Sequence, residues 1–215
     1  MCGRFAQKFT GERLQKKYHT INNLSFEPNY NIAPSSNVPI VVHDEDKNLK
    51  IEFMKWGLVL HWSKDEEIGN KMINARAETI LEKPSFKSSF KSKRCIIPVS
   101  GFYEWDKSKQ PYYVTSKNNI FSLAGIWDEW KAPTGNPIHT FTIITTDANL
   151  DLVNIHNRMP VILDDKDISI WFDHSVKIEE LQSLLRPYNS ENMEQYTVDK
   201  RVNNPANNDE GLIIK

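Results

Sequence analysis

The chain has 215 residues, a hydrophobic fraction of 39%, an aromatic fraction of 11% and a formal net charge of -1. This suits one large folded domain with a real core, and it excludes any global electrostatic argument for nucleic acid, so such binding needs a local patch. A mean hydropathy of -0.55, no apolar run near the roughly 18 residues of a membrane span, no signal-like N-terminus and only two cysteines predict a reducing cytoplasmic setting, no membrane and no disulfide framework.

Taken in chain order, Thr10 is placed to cap a short charged helix, Gly11 to Tyr18. Asn29 to Pro39 is rich in Asn, Pro and Ser and reads as a loop. Val38 to His43 and Leu49 to Leu58 read as strands joined by the charged turn Asp44 to Asn48. The segment Lys83 to Arg94 places Lys83, Lys87 and Lys91, and Phe86 and Phe90, at helical i, i+4 spacing. Both phenylalanines are expected in the core, while the lysines are left open between plain solvation and a nucleic-acid surface.

Short β runs rich in branched and aromatic residues follow at Cys95 to Val99, Gly101 to Trp105, Tyr112 to Thr115, Ile120 to Trp127 and Thr140 to Thr146. Asp147 is a candidate cap for a short helix through Ile155, and Val161 to Leu163 reads as a strand. Asp164 to Phe172 and Ile178 to Arg186 read as helices, the second stopped by Pro187. Many strands with few helices predict an α+β fold, a single domain over residues 1–215 with a twisted, mixed and mostly antiparallel barrel-like core and peripheral helices. Nothing indicates an oligomer, and a monomer is expected.

Four stretches concentrate reactive side chains: Cys2-Gly3-Arg4-Phe5, Asn74 to Glu78, Gly101 to Trp105, and His156 to Pro160. Initiator methionine is commonly trimmed before a small residue. Trimming here would place an α-amine and a thiol on adjacent carbons of Cys2, a pair that traps aldehydes as five-membered thiazolidines. An α-amine titrates at about 7.7–8.0, so it is partly unprotonated at neutral pH. Glu104 can supply a proton to expel water, and His156 can shuttle protons. Asn74 can orient the aldehyde, and Arg4, Arg76 and Arg158 can hold phosphates. The histidines and cysteines lack metal-ligand spacing, and no phosphate-binding glycine loop is present, so neither metal nor cofactor is expected. Two other readings stay open on these residues. One is a cysteine peptidase using Cys2 or Cys95 with His156. The other is a non-covalent single-strand binder using Lys83 to Arg94.

Together the motifs MCGRF, KWGL followed by Trp62, NARAET, RCIIPVSGFYEW, LAGIW, TIITTDAN, IHNRMPVIL and VNNPANND resemble the SOS response-associated peptidase (SRAP) family, abasic-site processing proteins that crosslink themselves to DNA. They occur in family order and span nearly the whole chain. The resemblance implies an enzyme with Schiff-base chemistry that joins Cys2 to the aldehyde of an abasic site in single-stranded DNA, shielding the lesion from strand cleavage. It implies Asn74 as the positioning amide, Glu104 and His156 as the acid/base pair, and Arg4, Arg76 and Arg158 as phosphate contacts. Trp62 becomes a base-stacking wedge. Autoproteolytic release of the N-terminus and a nucleoid-associated location on DNA belong to the same expectation. Four positions depart from the family pattern: Leu60-His61 stands where Pro-Ser is usual, Asn157 where Asp is usual, and Ala206 where Arg is usual.

Overall fold

A computed structural model describes residues 2–116, 120–133 and 135–215. Met1, whose removal the sequence predicts, lies outside the described residues. The strands are β1 (Phe5–Gln7), β2 (Asn29–Ile32), β3 (Asn37–His43), β4 (Leu49–Trp56), β5 (Asn74–Arg76), β6 (Arg94–Val99), β7 (Gly101–Trp105), β8 (Pro111–Ser116), β9 (Phe121–Lys131), β10 (Pro137–Asp147), β11 (Arg158–Pro160), β12 (Ile162–Leu163) and β13 (Met193–Thr197). The helices are α1 (Gly11–Tyr18), α2 (Pro84–Ser92), α3 (Ile168–Phe172) and α4 (Ile178–Ser183). Among the described residues no helix is long and apolar enough to cross a membrane.

One sheet runs β13-β8-β7-β1-β2, and the other runs β11-β10-β4-β3-β6-β9-β12. In the second sheet β9 also pairs with β10, from Pro137↔Lys131 to Ile143↔Gly125. That pairing closes β10, β4, β3, β6 and β9 into a five-stranded barrel, which leaves no edge among those strands. The pair β10–β4 is parallel, as is β10–β5, so the barrel is mixed, within the predicted α+β class.

Strand alternation sends side chains to opposite faces of the wall. Val41, Ile51, Ile96, Ala124, Ile126 and Ile144 pack outward with helix residues including Leu14, Phe86, Phe90 and Trp171. Ile40, Met54, Trp56, Ile97, Leu123, Phe141 and Ile143 face the other way. They meet Cys2, Phe5, Ile32 and Phe102 from the five-stranded sheet. The N-terminal residues are therefore core residues of the barrel, not a dangling end.

Several elements differ from expectation, each for a local reason. Asn29 to Pro39 is not a loop: it holds β2 and the start of β3, because Ile32 pairs with Phe5. The polar Asn31 is consumed by donating its side-chain amide to the carbonyls of Val202, Asn204 and Asn207. Asp147 ends β10 rather than capping a helix. Residues 150–155 form successive turns instead, with Asn149 Oδ1 accepting from the Leu152 N–H at 3.1 Å. The strand read to Leu58 stops at Trp56, since Gly57 has φ 125 and approaches Gly69 so closely that a Cβ would sit 2.6 Å from its carbonyl oxygen. The segment Asp164 to Phe172 splits into a 3-10 turn and α3, and α4 ends at Ser183 rather than Arg186.

The α2 segment buries Phe86 and Phe90 as predicted and leaves Lys83, Lys87 and Lys91 exposed. Arg94, read as the end of that helix, is instead the first residue of β6 and only 3% exposed. Its guanidinium donates to the carbonyls of Phe90 and Lys91 in the last turn of α2, and of Trp171 and Asp173 at the end of α3. One cation thus caps two helix C-termini, satisfying carbonyls that helix geometry leaves without partners. Replacing it with alanine strands those buried acceptors. Arg94→Ala should therefore lower stability by about 3 kcal/mol or more, and Arg94→Lys should recover only part, because an ammonium cannot reach four acceptors in a planar fork. Urea unfolding midpoints of the three proteins check this.

Candidate functional site

Strand β10 gathers one side of the site. Asn74 lies opposite Ile143 and Arg76 opposite Thr145 on β5, while Arg158 lies opposite Asp147 on β11. The other side comes from the five-stranded sheet. Phe5 pairs with Phe102, and the Tyr103 N–H bonds the Arg4 carbonyl at 2.9 Å, which sets the chain before β1 beside β7. Cys2 and Glu104 meet there.

Cys2 is fully buried. Its carbonyl accepts from Asn74 Nδ2 at 2.9 Å. Asn74 Oδ1, on the same amide, is buried without a hydrogen-bond partner among the described residues, an acceptor open to a donor. Burial and, secondarily, the nearby Glu104 carboxylate push the Cys2 thiol up, so it is held as the thiol. Glu104 is 3% exposed, and burial raises its carboxyl from the ordinary 4.5 to about 7. A carboxyl at that value can both give and take a proton at neutral pH.

His156 follows the turn 150–155. Its Nδ1 accepts from the Arg158 backbone N–H at 3.0 Å, shorter than the 3.3 Å approach to the Arg158 carbonyl. That contact puts the ring proton on Nε2, and burial lowers the imidazole's affinity for a second proton. His156 is therefore a neutral ring presenting an N–H.

The arginines differ in their engagement. Arg76 is exposed, and its guanidinium makes no side-chain hydrogen bond among the described residues. Arg4 Nη1 bonds Asn31 Oδ1 at 2.7 Å and the Val202 carbonyl at 2.8 Å. Arg158 is buried, with Glu78 gripping both terminal nitrogens at 2.6 and 3.0 Å and Asp147 at 2.8 Å. Glu78, inside the NARAET stretch, is a residue sequence reasoning passed over. Its four-residue spacing from Asn74 carried no signal, because its partner lies 80 positions away. Trp62 projects into solvent at 58% exposure. Cys95 is fully buried in the same inner cluster as Cys2, Ile97 and Leu123, and burial raises its thiol well above the ordinary range. A hollow of about 580 Å³ lined by Tyr18, His43 and Phe172 includes none of these residues.

Glu104 also links the site to stability. In the unfolded chain it ionises from about 4.5, whereas in the fold it keeps its proton to about 7. The native state therefore holds an extra proton across that window, and the stability it confers at acid pH is lost as pH rises through 7, by about 3 kcal/mol. Glu104→Gln removes that loss. Urea midpoints at pH 5 and pH 8 should fall further in the wild type than in the variant, and parallel changes would refute the assignment.

Residues 1–205 match the family described as SOS response associated peptidase (SRAP). Over 222 aligned residues the chain is 44% identical to the abasic site processing protein YoqW of Bacillus subtilis, covering 99% of both. It is 32% identical to the abasic site processing protein HMCES of Gallus gallus, covering 96% of this chain and 75% of that one. Among solved structures, a protein from Bacteroides thetaiotaomicron superimposes with a TM-score of 0.89 at 32% identity, covering 99% of this chain and 98% of the other. Family model, sequence relatives and fold agree, and the chain belongs to the SOS response associated peptidase family.

Proposed function

We propose that this protein processes abasic sites in single-stranded DNA by forming a thiazolidine crosslink through Cys2, exposed as the first residue once Met1 is removed. The observation that carries the reading is the convergence at Cys2 of a carboxyl titrating near 7 and an amide with an unsatisfied buried oxygen. The names of the relatives support the substrate.

The chemistry balances with one proton carrier. The Cys2 amine adds to the ring-opened sugar aldehyde and gives a carbinolamine. Glu104 in its acid form protonates the hydroxyl, which leaves as water, and an iminium forms. The Glu104 carboxylate then takes the thiol proton, and sulfur adds to the iminium carbon to close the ring. Glu104 ends as it began, and the net loss is one water. Asn74 Oδ1 accepts from the carbinolamine or iminium N–H, while its amide holds the Cys2 carbonyl in register. The Nε2–H of His156 donates to the sugar oxygen, which makes it an orienting donor more than a base. Arg76 contacts a strand phosphate. Arg4, tied into the fold by Asn31 and the Val202 carbonyl, presents a fixed positive charge to the strand, whereas the charge of Arg158 is offset by Glu78 and Asp147, which makes it a positioning residue for that side of the site. Trp62 stacks a flanking base.

A denaturing gel with intact-mass analysis tests this, using a single-stranded oligonucleotide carrying one abasic site. The expected species is protein without Met1, plus DNA, minus water. No adduct from protein shown to lack Met1 would overturn the reading.

A further inference from the structure

The residue before Trp62 has a supporting structure that the chemistry above does not use. Asp128 is 2% exposed on β9, opposite Thr140 of β10. Its Oδ2 accepts from the His61 backbone N–H at 2.9 Å and faces His61 Nδ1 at 3.0 Å. Its Oδ1 accepts from Lys93 Nζ at 2.5 Å and from the Glu129 N–H at 3.0 Å. Burial by itself would raise this carboxyl, but the bonds from Lys93 and His61 hold it below the ordinary range. A carboxylate only accepts, so the proton of the His61 ring sits on Nδ1. Nε2 makes no hydrogen bond among the described residues, on a side chain 62% exposed.

The loop that carries this ring is held in place. The Ser63 N–H bonds the Leu60 carbonyl at 2.8 Å, and Trp130 Nε1 bonds the Ser63 carbonyl at 2.8 Å. Next to it a hollow of about 200 Å³ is lined by Trp62, Ser63, Lys64, Asp65 and Ile68. That lining combines an exposed indole, an apolar wall and a cation, features suited to a base and its phosphate. Thr140 stands three residues from Ile143, the partner of Asn74. At about 3.4 Å per strand residue the two levels are about 10 Å apart.

We infer that His61, aimed by Asp128, is a strand-binding residue of this protein. With Nδ1–H held by Asp128, a second proton on Nε2 makes that nitrogen a donor to a backbone phosphate of single-stranded DNA whose base stacks on Trp62. This rests on the DNA reading above, but it concerns the flanking strand and not the lesion. The burial of Asp128 and its four donors make the ring a pre-aimed donor, one that loses little side-chain freedom on binding. Lys93 keeps the carboxylate charged, so an imidazolium formed against phosphate is stabilised from both sides. The other charged groups close to the ring along the chain and strand are Lys64, Asp65 and Glu129, and Glu129 is already bonded to His139.

The test uses a labelled, undamaged single-stranded oligonucleotide at about pH 6, where imidazole in water is mostly protonated. Affinity is measured against salt for wild type, His61→Gln and His61→Lys. One phosphate contact on a single strand is worth about 0.7 in the slope of log affinity against log salt. Loss of about that slope in His61→Gln, with recovery in His61→Lys, is expected, and a purely structural role would not move it. An unchanged slope in His61→Gln overturns the inference, even where the protein crosslinks abasic DNA normally. A His61-dependent slope from a protein that forms no abasic adduct upholds this contact and overturns the Cys2 reading instead.

Discussion

Cys2→Ala should remove the hydrolysis-resistant DNA adduct completely while leaving a folded protein. The lost sulfur is a small part of the barrel core, and the cost is on the order of 1 kcal/mol. The Cys2→Ala amine still condenses with the aldehyde, so borohydride should still trap an imine. What disappears is the ring closure that protects the bond from water. Cys2→Ser sharpens the comparison, since it keeps the shape and places a much weaker nucleophile beside the iminium. Heating each reaction before electrophoresis separates the two kinds of bond. A heat-stable adduct from Cys2→Ala without borohydride would sink the thiazolidine mechanism and move attention to a lysine.

Glu104→Gln should slow crosslinking by about 100-fold or more, within the usual range for losing a positioned proton carrier. Glutamine preserves the hydrogen-bonding shape but cannot give a proton to the departing water or take one from the buried thiol. The pH profile carries the sharper signature. In the wild type the rate should rise from acid pH as the terminal amine deprotonates, with an ordinary value of about 7.7–8.0. It should be held down on the alkaline side as Glu104, near 7 in the fold, gives up its proton. The variant should lose the alkaline limb and keep the acid one. Single-turnover time courses across pH check this, and an unchanged rate and profile would exclude Glu104 from the proton path.

The long β runs were legible in the sequence because branched and aromatic residues at β6 through β10 have few other places to go. Barrel closure was less visible, since it depends on β9 pairing with β10 and on parallel pairs that local pattern does not encode. The short strands β1, β5 and β13 are defined by partners rather than by propensity, and polar residues such as Asn74 and Arg76 hide them. Among site residues, types could be read but engagements could not. Arg76 and Arg158 look alike in sequence. One is exposed, and the other is held by Glu78 and Asp147. Asn31 and Arg94 looked like loop and helix-end residues, yet Asn31 spends its amide on carbonyls more than 170 positions away, and Arg94 divides its guanidinium between the adjacent helix end and carbonyls 77 and 79 positions on.

The bond from Arg4 to the carbonyl of Val202 spans 198 positions. It sets an order of events during synthesis. Until residues 202–207 are made, the anchor that fastens the N-terminal segment does not exist, and neither do the carbonyls that Asn31 will grip. Over that interval Arg4 and Asn31 lack the partners that hold them in the fold. Once residues 202–207 arrive, Arg4 and Asn31 complete these bonds and fix the segment next to Cys2, which is fully buried in the fold. The segment that carries Cys2 is thus fastened by residues made about 200 positions later, and the two enter the fold together.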